Sequence, residues 1–263
     1  RTCRALDIPV ERKKFRSPAE AERVLMNCLK AGQPAGCQVG VYYLTYFPKE
    51  YRFHFNAHNL IVFGKEDDHY LISDPVMEMA TSLSSYDLQR VRFAKGAFAP
   101  RGQLYYPKEK RAVTDDQMRK AIRSGIKHNI RYMLQVPGNI IGIRGIRYTA
   151  KKIRGWRDKL GLEKAGSYLA QLVRMQEEIG TGGGGFRFIY GAFLQEAFAY
   201  HPLDELREIS NQFTRSGDIW RSAAVQAAGI YKGRIGSQAD FNLMSDYLNE
   251  SADIEKAAFT ALS

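Results

Sequence analysis

His58 and Asp74 are the first pair of residue types that could do chemistry together. An imidazole can take up and return a proton, a carboxylate can hold it in one tautomer, and with a nucleophile the two complete a triad. The residues between them explain how they could meet. Asn59-Leu60-Ile61-Val62-Phe63 is β-branched and aromatic and ends at Gly64, while His69-Tyr70-Leu71-Ile72-Ser73 is a second apolar run that ends at Asp74-Pro75. Lys65-Glu66-Asp67-Asp68 has the polarity and size of a hairpin loop. The pattern predicts a β-hairpin from Asn59 to Ser73. In an antiparallel pair the start of one strand lies beside the end of the next. His58, at the entry of the first strand, and Asp74, just past the exit of the second, are therefore expected at one sheet edge. Taken singly, His58 is an ordinary polar strand-edge residue and Asp74 an ordinary turn starter before proline. His54 is the substitute base, because it shares the face of His58 if the strand runs back that far. His69, His128 and His201 read as surface or helix-terminal residues.

The nucleophile is harder to place. Cys3, Cys28 and Cys37 form no metal-ligand or CxxC spacing. Cys28 falls on the apolar side of a predicted helix and Cys37 in a predicted strand, as buried thiols do. Cys3 precedes only Arg-Ala-Leu before Asp7-Ile8-Pro9, too short a run for a helix whose dipole would acidify a thiol. The nucleophile helix is therefore expected upstream of Arg1. The absence of an initiator Met fits a piece of a longer chain. An odd cysteine count and the lack of an h-region in RTCRALDIPVERKKF favour a reducing cytoplasm. No metal and no bound cofactor are expected.

A second stretch with chemical potential is Gly180-Thr181-Gly182-Gly183-Gly184-Gly185. It is not a P-loop, since no Lys-Ser or Lys-Thr follows at the Walker spacing and no strand precedes it. It does run into a helix N-terminus, where free N–H groups can bind an anion, with Arg187 in the first turn. Gly180, Thr181, Gly182, Gly183 and Arg187 are thus candidate substrate contacts; a plain helix–helix connector is the alternative. The aromatic segment Tyr42–Tyr51, broken by Pro48, reads as a loop lining something, with Tyr43 and Tyr46 as further candidate substrate contacts.

These residues need elements to hold them. Ser17-Pro18-Ala19-Glu20 opens a helix that places Ala21, Val24, Leu25, Cys28 and Leu29 on one face and stops at Gly32. Ala35–Leu44 reads as a strand, and residues 77–83 as another. Ser84 opens a short helix to about Lys95, and residues 98–107 form a last extended piece. From Lys108 the periodicity becomes helical. Thr114-Asp115-Asp116-Gln117 is a capping box that opens a helix to about Leu134. Further helices are predicted over 140–160, 162–179, 186–200 and 204–232. Another is capped by Ser237, and a last one spans 253–262. Trp156 and Trp220 lie on apolar helix faces and are expected in the core.

The 263 residues suffice for one large domain or two modest ones, at 44% hydrophobic and 25% charged. No apolar run approaches the roughly 18 residues of a membrane span, so no membrane partner is expected. A net charge of +11 favours acidic partners. The basic residues are scattered outside 144–159 and carry no RNA-binding or zinc-finger signature, so nucleic acid is not favoured. A homodimer is compatible with these numbers.

The run from Gly32 to Leu44 (GQPAGCQVGVYYL), Tyr46, His58 through Gly64, and Asp74-Pro75 resembles the N-terminal domain of butirosin biosynthesis protein H and its relatives. That domain is similar to the papain-like fold of bacteriocin-processing peptidases, with a His opening one strand and an Asp-Pro closing the next. Gly180 to Ala197 (GTGGGGFRFIYGAFLQEA) resembles the helical domain that often follows, through Phe186-Arg187, Tyr190 and Phe193-Leu194. The resemblance implies an α+β fold: a papain-like antiparallel sheet portion over 1–108, truncated at its N-terminus, then an all-helical domain over 109–263 with the glycine-rich loop at 180–185. It implies a cysteine acyltransferase of antibiotic biosynthesis. An acyl chain on the phosphopantetheine of a carrier protein would pass to the enzyme thiol and then to an amine. His58 would be general base and acid, and Asp74 would orient it. Phosphopantetheine is then a co-substrate, and the partners are an acidic acyl carrier protein and a small-molecule amine or peptide acceptor. Two alternatives stay open: a cysteine peptidase or amidase on the same scaffold, and a degenerate binding module whose glycine-rich loop and helices hold a small anion or partner.

Overall fold

The computed structural model describes residues 2–178 and 181–263, and the chain divides into two compact units, Arg1–Ala112 and Val113–Ser263. It is an α+β protein, with an antiparallel sheet in the first unit and helices in the second.

The first unit runs α1 (Thr2–Ala5), β1 (Val10–Lys13), α2 (Pro18–Lys30), β2 (Ala35–Val39), β3 (His58–Glu66), β4 (His69–Ser73), β5 (Thr81–Ser84), α3 (Ser85–Arg92) and β6 (Leu104–Pro107). The strands form one antiparallel sheet in the order β1-β6-β2-β3-β4-β5. Alternation along the strands sends Val39, Leu60, Val62, Tyr70, Ile72 and Leu83 into a core. Ala21, Leu25 and Cys28 of α2 and Leu88 and Val91 of α3 pack into the same core. On the opposite face Ile61 and Phe63 stay exposed. Each large core side chain contributes about 1.5–3 kcal/mol through its burial. Ser17 caps α2, its hydroxyl accepting from the Glu20 amide, with Pro18 at the first helical position.

Several expectations need correction. The hairpin is tighter than its polar loop suggests: β3 continues through Lys65 and Glu66, leaving only Asp67 and Asp68 as the turn, with Asp67 in the left-handed region at φ 49°. Charged side chains at a hairpin tip stay in water while the ladder continues beneath them. The strand predicted to Leu44 ends at Val39, and Val41–Tyr43 is a 3₁₀ turn. There the Gly40 amide turns to Val91 O and the Val41 amide to Phe55 O, so the backbone leaves the ladder. Gly40 is required at that bend, because a Cβ would lie 2.6 Å from Asn56 Oδ1. β5 starts at Thr81 rather than Met77, and β6 at Leu104 rather than Phe98. The edge strand β1 was not anticipated; its sequence, VERK, is too charged to show a buried face.

Within the second unit, no strand occurs among the described residues. Its helices are α4 (Asp115–Ile130), α5 (Gly142–Arg154), α6 (Trp156–Leu160), α7 (Leu162–Val173), α8 (Arg187–Tyr200), α9 (Asp204–Tyr231) and α10 (Gln238–Ala261). π-helical turns at Arg131–Gln135 and Arg174–Glu178 extend α4 and α7. α9 is the central rod, packed against α7, α8 and α10. One end of α9 joins a cluster with Leu194, Phe213 and Phe259, and the other joins a cluster with Ile153, Trp220 and Phe241. Trp220 is buried, as expected, and Trp156 packs against the same cluster. The helix predicted over 140–160 is split at Gly155 into α5 and α6. The separate helix expected from Asp253 is instead the end of α10. Leu248, Ala252 and Phe259 keep one buried face across the join, and no Gly or Pro interrupts it. No described helix is long and apolar enough to cross a membrane.

Candidate functional site

His58 opens β3, paired with Val39 of β2, and Asp74 follows the last residue of β4. A β-bulge decides whether the two can meet. From the turn, β3 and β4 pair as Glu66↔His69, Lys65↔Tyr70 and Gly64↔Leu71; beyond Phe63 the pairs become Val62↔Ile72 and Ile61↔Ser73. One extra residue in β3 flips the alternation of everything that precedes it. His58, Leu60 and Val62 thereby share the face of Ile72 and Asp74. An unbulged hairpin would have put His58 on the opposite face. In the folded chain His58 Nε2 lies 2.7 Å from Asp74 Oδ2, with the His58 side chain 12% exposed and that of Asp74 fully buried.

Asp74 has two further donors. The Tyr46 hydroxyl donates to Oδ2 at 2.6 Å, and the Val76 amide donates to Oδ1 at 2.9 Å. Burial pushes the Asp74 carboxyl up, but the bonds from His58, Tyr46 and Val76 outweigh it and hold the group below the usual carboxylate range. Burial first, and then the bond to Asp74, pushes the Tyr46 phenol far above its ordinary value, so it stays protonated as a donor. With Asp74 ionised, Nε2 carries the proton of that bond, which leaves Nδ1 as the nitrogen for acid–base chemistry. The Phe47 ring sits edge-on to the imidazole at 5.7 Å. Arg52 folds the loop that delivers Tyr46 and Phe47, its Nη2 donating to Thr45 O at 2.5 Å and its Nε to Phe47 O at 2.8 Å.

Of the other predicted site residues in this unit, only Tyr46 joins the pair. His54 is exposed and stacks on Tyr42 at 4.2 Å, away from Asp74, because the strand does not run back past His58. Tyr43 carries the Arg90 guanidinium 4.0 Å above its ring and makes no hydrogen bond or ring contact with His58 or Asp74 among the described residues. Tyr46 is close to the pair, but its hydroxyl is committed to Asp74.

In the second unit, Gly180 lies outside the described residues. Gly182, Gly183, Gly184 and Gly185 all have positive φ (69°, 82°, 54° and 57°), a run only glycine sustains at low cost. The loop is held by the chain itself. Thr181 Oγ1 donates to Gln176 O and accepts from the Gly183 amide, while the Gly184 amide donates to Glu177 Oε1 at 2.9 Å. A carboxylate thus occupies a position where an incoming anion was expected. The helix also starts later than predicted, because Phe186 is left-handed at φ 72° and α8 begins at Arg187. Arg187 Nε donates to the buried Glu255 at 2.5 Å, its Nη1 donates to Gly184 O and Gly185 O, and its guanidinium lies 4.3 Å from the Trp220 ring centroid. Ser216 and Ser251 also donate to Glu255. Arg187 is therefore a clasp of the loop. Sequence reasoning could see the cation but not its carboxylate, which lies 68 residues away.

A family model described as domain of unknown function DUF4872 matches residues 86–262, more than half of the chain. The chain belongs to that family. Residues 1–75, which include His58 and end after Asp74, match the model described as butirosin biosynthesis protein H, N-terminal. Its first 75 residues thus match the N-terminal domain of butirosin biosynthesis protein H, followed in the same chain by the domain of unknown function. No curated protein matches it.

Proposed function

We propose that this protein acts in secondary metabolism as a cysteine-dependent acyltransferase, moving an acyl group from a carrier-protein thioester to an amine on a papain-like scaffold. The observation that carries the reading is the His58 Nε2–Asp74 Oδ2 contact at 2.7 Å, with Nδ1 left for the proton transfers. The family match at residues 1–75 supports the setting. In the first step Nδ1 takes the proton of a cysteine thiol, and the thiolate attacks the thioester carbonyl. The carbon–sulfur bond to phosphopantetheine breaks, and that leaving thiol receives the proton. In the second step the amine attacks the acyl-enzyme, Nδ1 takes a proton from nitrogen, and the cysteine leaves as the thiol.

The thiols within the chain are poor candidates for the nucleophile. Burial raises Cys28 and Cys37 above the ordinary thiol value, and Cys3 sits in a four-residue helix with no useful dipole. In this reading the sulfur comes from the family's N-terminal cysteine segment, upstream of Arg1. The net charge of +11 suits an acidic carrier.

The test uses the protein extended upstream of Arg1, with acyl-carrier thioester and amine. Acyl transfer should vanish in His58→Ala, and mass spectrometry should trap an acyl-enzyme from the thioester. Unchanged turnover in His58→Ala overturns the proposal. Trapping an intermediate from a peptide but none from the thioester would replace it with a peptidase.

A further inference from the structure

Tyr46 and His58 use the same atom. The phenol donates to Asp74 Oδ2 at 2.6 Å, and His58 Nε2 meets that oxygen at 2.7 Å. Oδ1 is held separately by the Val76 amide at 2.9 Å. The carboxylate therefore keeps an anchor through Oδ1, while Oδ2 divides its negative charge between a phenol and an imidazole. Arg52 fixes the loop on either side of the tyrosine, so the phenol is aimed by the fold.

We propose that Tyr46 is a positioning residue that tunes the basicity of His58 by sharing Asp74 Oδ2. A donor on that oxygen stabilises the carboxylate by itself and leaves less of its charge to stabilise the imidazolium. The phenol and the imidazole therefore compete for the charge on one carboxylate oxygen. That matters for a base, because an imidazole locked as imidazolium cannot accept the thiol proton near neutral pH. The groups that face the pair are Asp74 from the end of β4, Tyr46 from the loop after β2, the Val76 amide and the Phe47 ring. No Lys or Arg forms an ion pair with Asp74 among the described residues. The role rests on His58 being the base of the site, and it replaces substrate contact as the use of this tyrosine.

The experiment is an NMR titration of His58 in the full chain with ¹³Cε1-labelled histidine, assigned through His58→Gln. Tyr46→Phe keeps the ring and removes the donor. It should raise the His58 titration by about half to one pH unit, a three- to tenfold tighter proton. In an Asp74→Asn background the same substitution should move His58 by less than about 0.2 units, because the route through the carboxylate is gone. A His58 titration that stays put or falls in Tyr46→Phe overturns the proposal, as does an equal shift in the Asp74→Asn background. Should Tyr46→Phe fail to fold, fluorotyrosine placed at position 46 carries the test. As a stronger donor it should lower the His58 titration, and no movement overturns the idea. The readout needs no substrate. If His58→Ala retained acyl transfer, the catalytic reading would fall while the control of His58 by Tyr46 was still decided by NMR.

Discussion

His58 and Asp74 stand 16 residues apart in the chain and 2.7 Å apart in space, on the same face of a bulged hairpin. The bond fixes which imidazole nitrogen is spoken for. Asp74→Asn keeps the shape and removes the charge that selects the tautomer. In the Ser-His-Asp template the matching change costs about 10⁴-fold in kcat. Under the proposed acyltransferase function, Asp74→Asn is expected to lower turnover by a factor of that order, read as kcat with KM little changed.

The same carboxylate makes stability depend on pH. Its folded pKa lies below the ordinary aspartate value of about 3.9. The stabilisation is therefore complete above that value and is lost as the pH falls through the lowered one. Thermal unfolding followed from about pH 6 down to pH 2.5 should show wild type losing its advantage over Asp74→Asn at the acid end. Parallel curves throughout would mean that the carboxylate contributes nothing through ionisation.

The buried Glu255 and the mostly covered Arg187 form an ion pair at the glycine-rich loop. Removing one partner leaves an uncompensated charge, so Glu255→Ala should destabilise by about 3–5 kcal/mol in denaturant unfolding. The double replacement Arg187→Met with Glu255→Leu removes both charges and should recover much of that loss. A double variant no better than Glu255→Ala would show that the loop needs the guanidinium itself.

Gly142 opens α5 at φ 61°, and a Cβ there would lie 2.4 Å from the Met133 carbonyl oxygen. Both the backbone conformation and the space exclude a side chain. Gly142→Ala should cost about 2–4 kcal/mol by chemical denaturation. Gly125→Ala, where nothing lies within 4 Å, should leave stability unchanged or slightly raised.

Much of the framework was legible because its signals are local. Ser17, Thr114 and Ser237 cap helices through side-chain bonds that span three residues, so the sequence pattern and the bond coincide. The apolar runs of β3 and β4 likewise announce themselves through β-branched residues around a polar turn. Boundaries that depend on distant partners were not legible. Val39 ends its strand because Val91 and Phe55 take over the next amides, and β1 exists because β6 pairs with it.

The amino-acid order by itself determined the two-part character of the chain, the hairpin between His58 and Asp74, and the residue types available at its open end. Those features follow from spacing over a few residues, where chemistry and chain position are the same thing. Tertiary structure alone decided that a bulge at Phe63 turns His58 toward Asp74, and that Tyr46 joins them on one oxygen. It alone decided, too, that Arg187 reaches Glu255. Strand register and long-range pairing are set by the packing of the whole core, and no window of sequence contains that information.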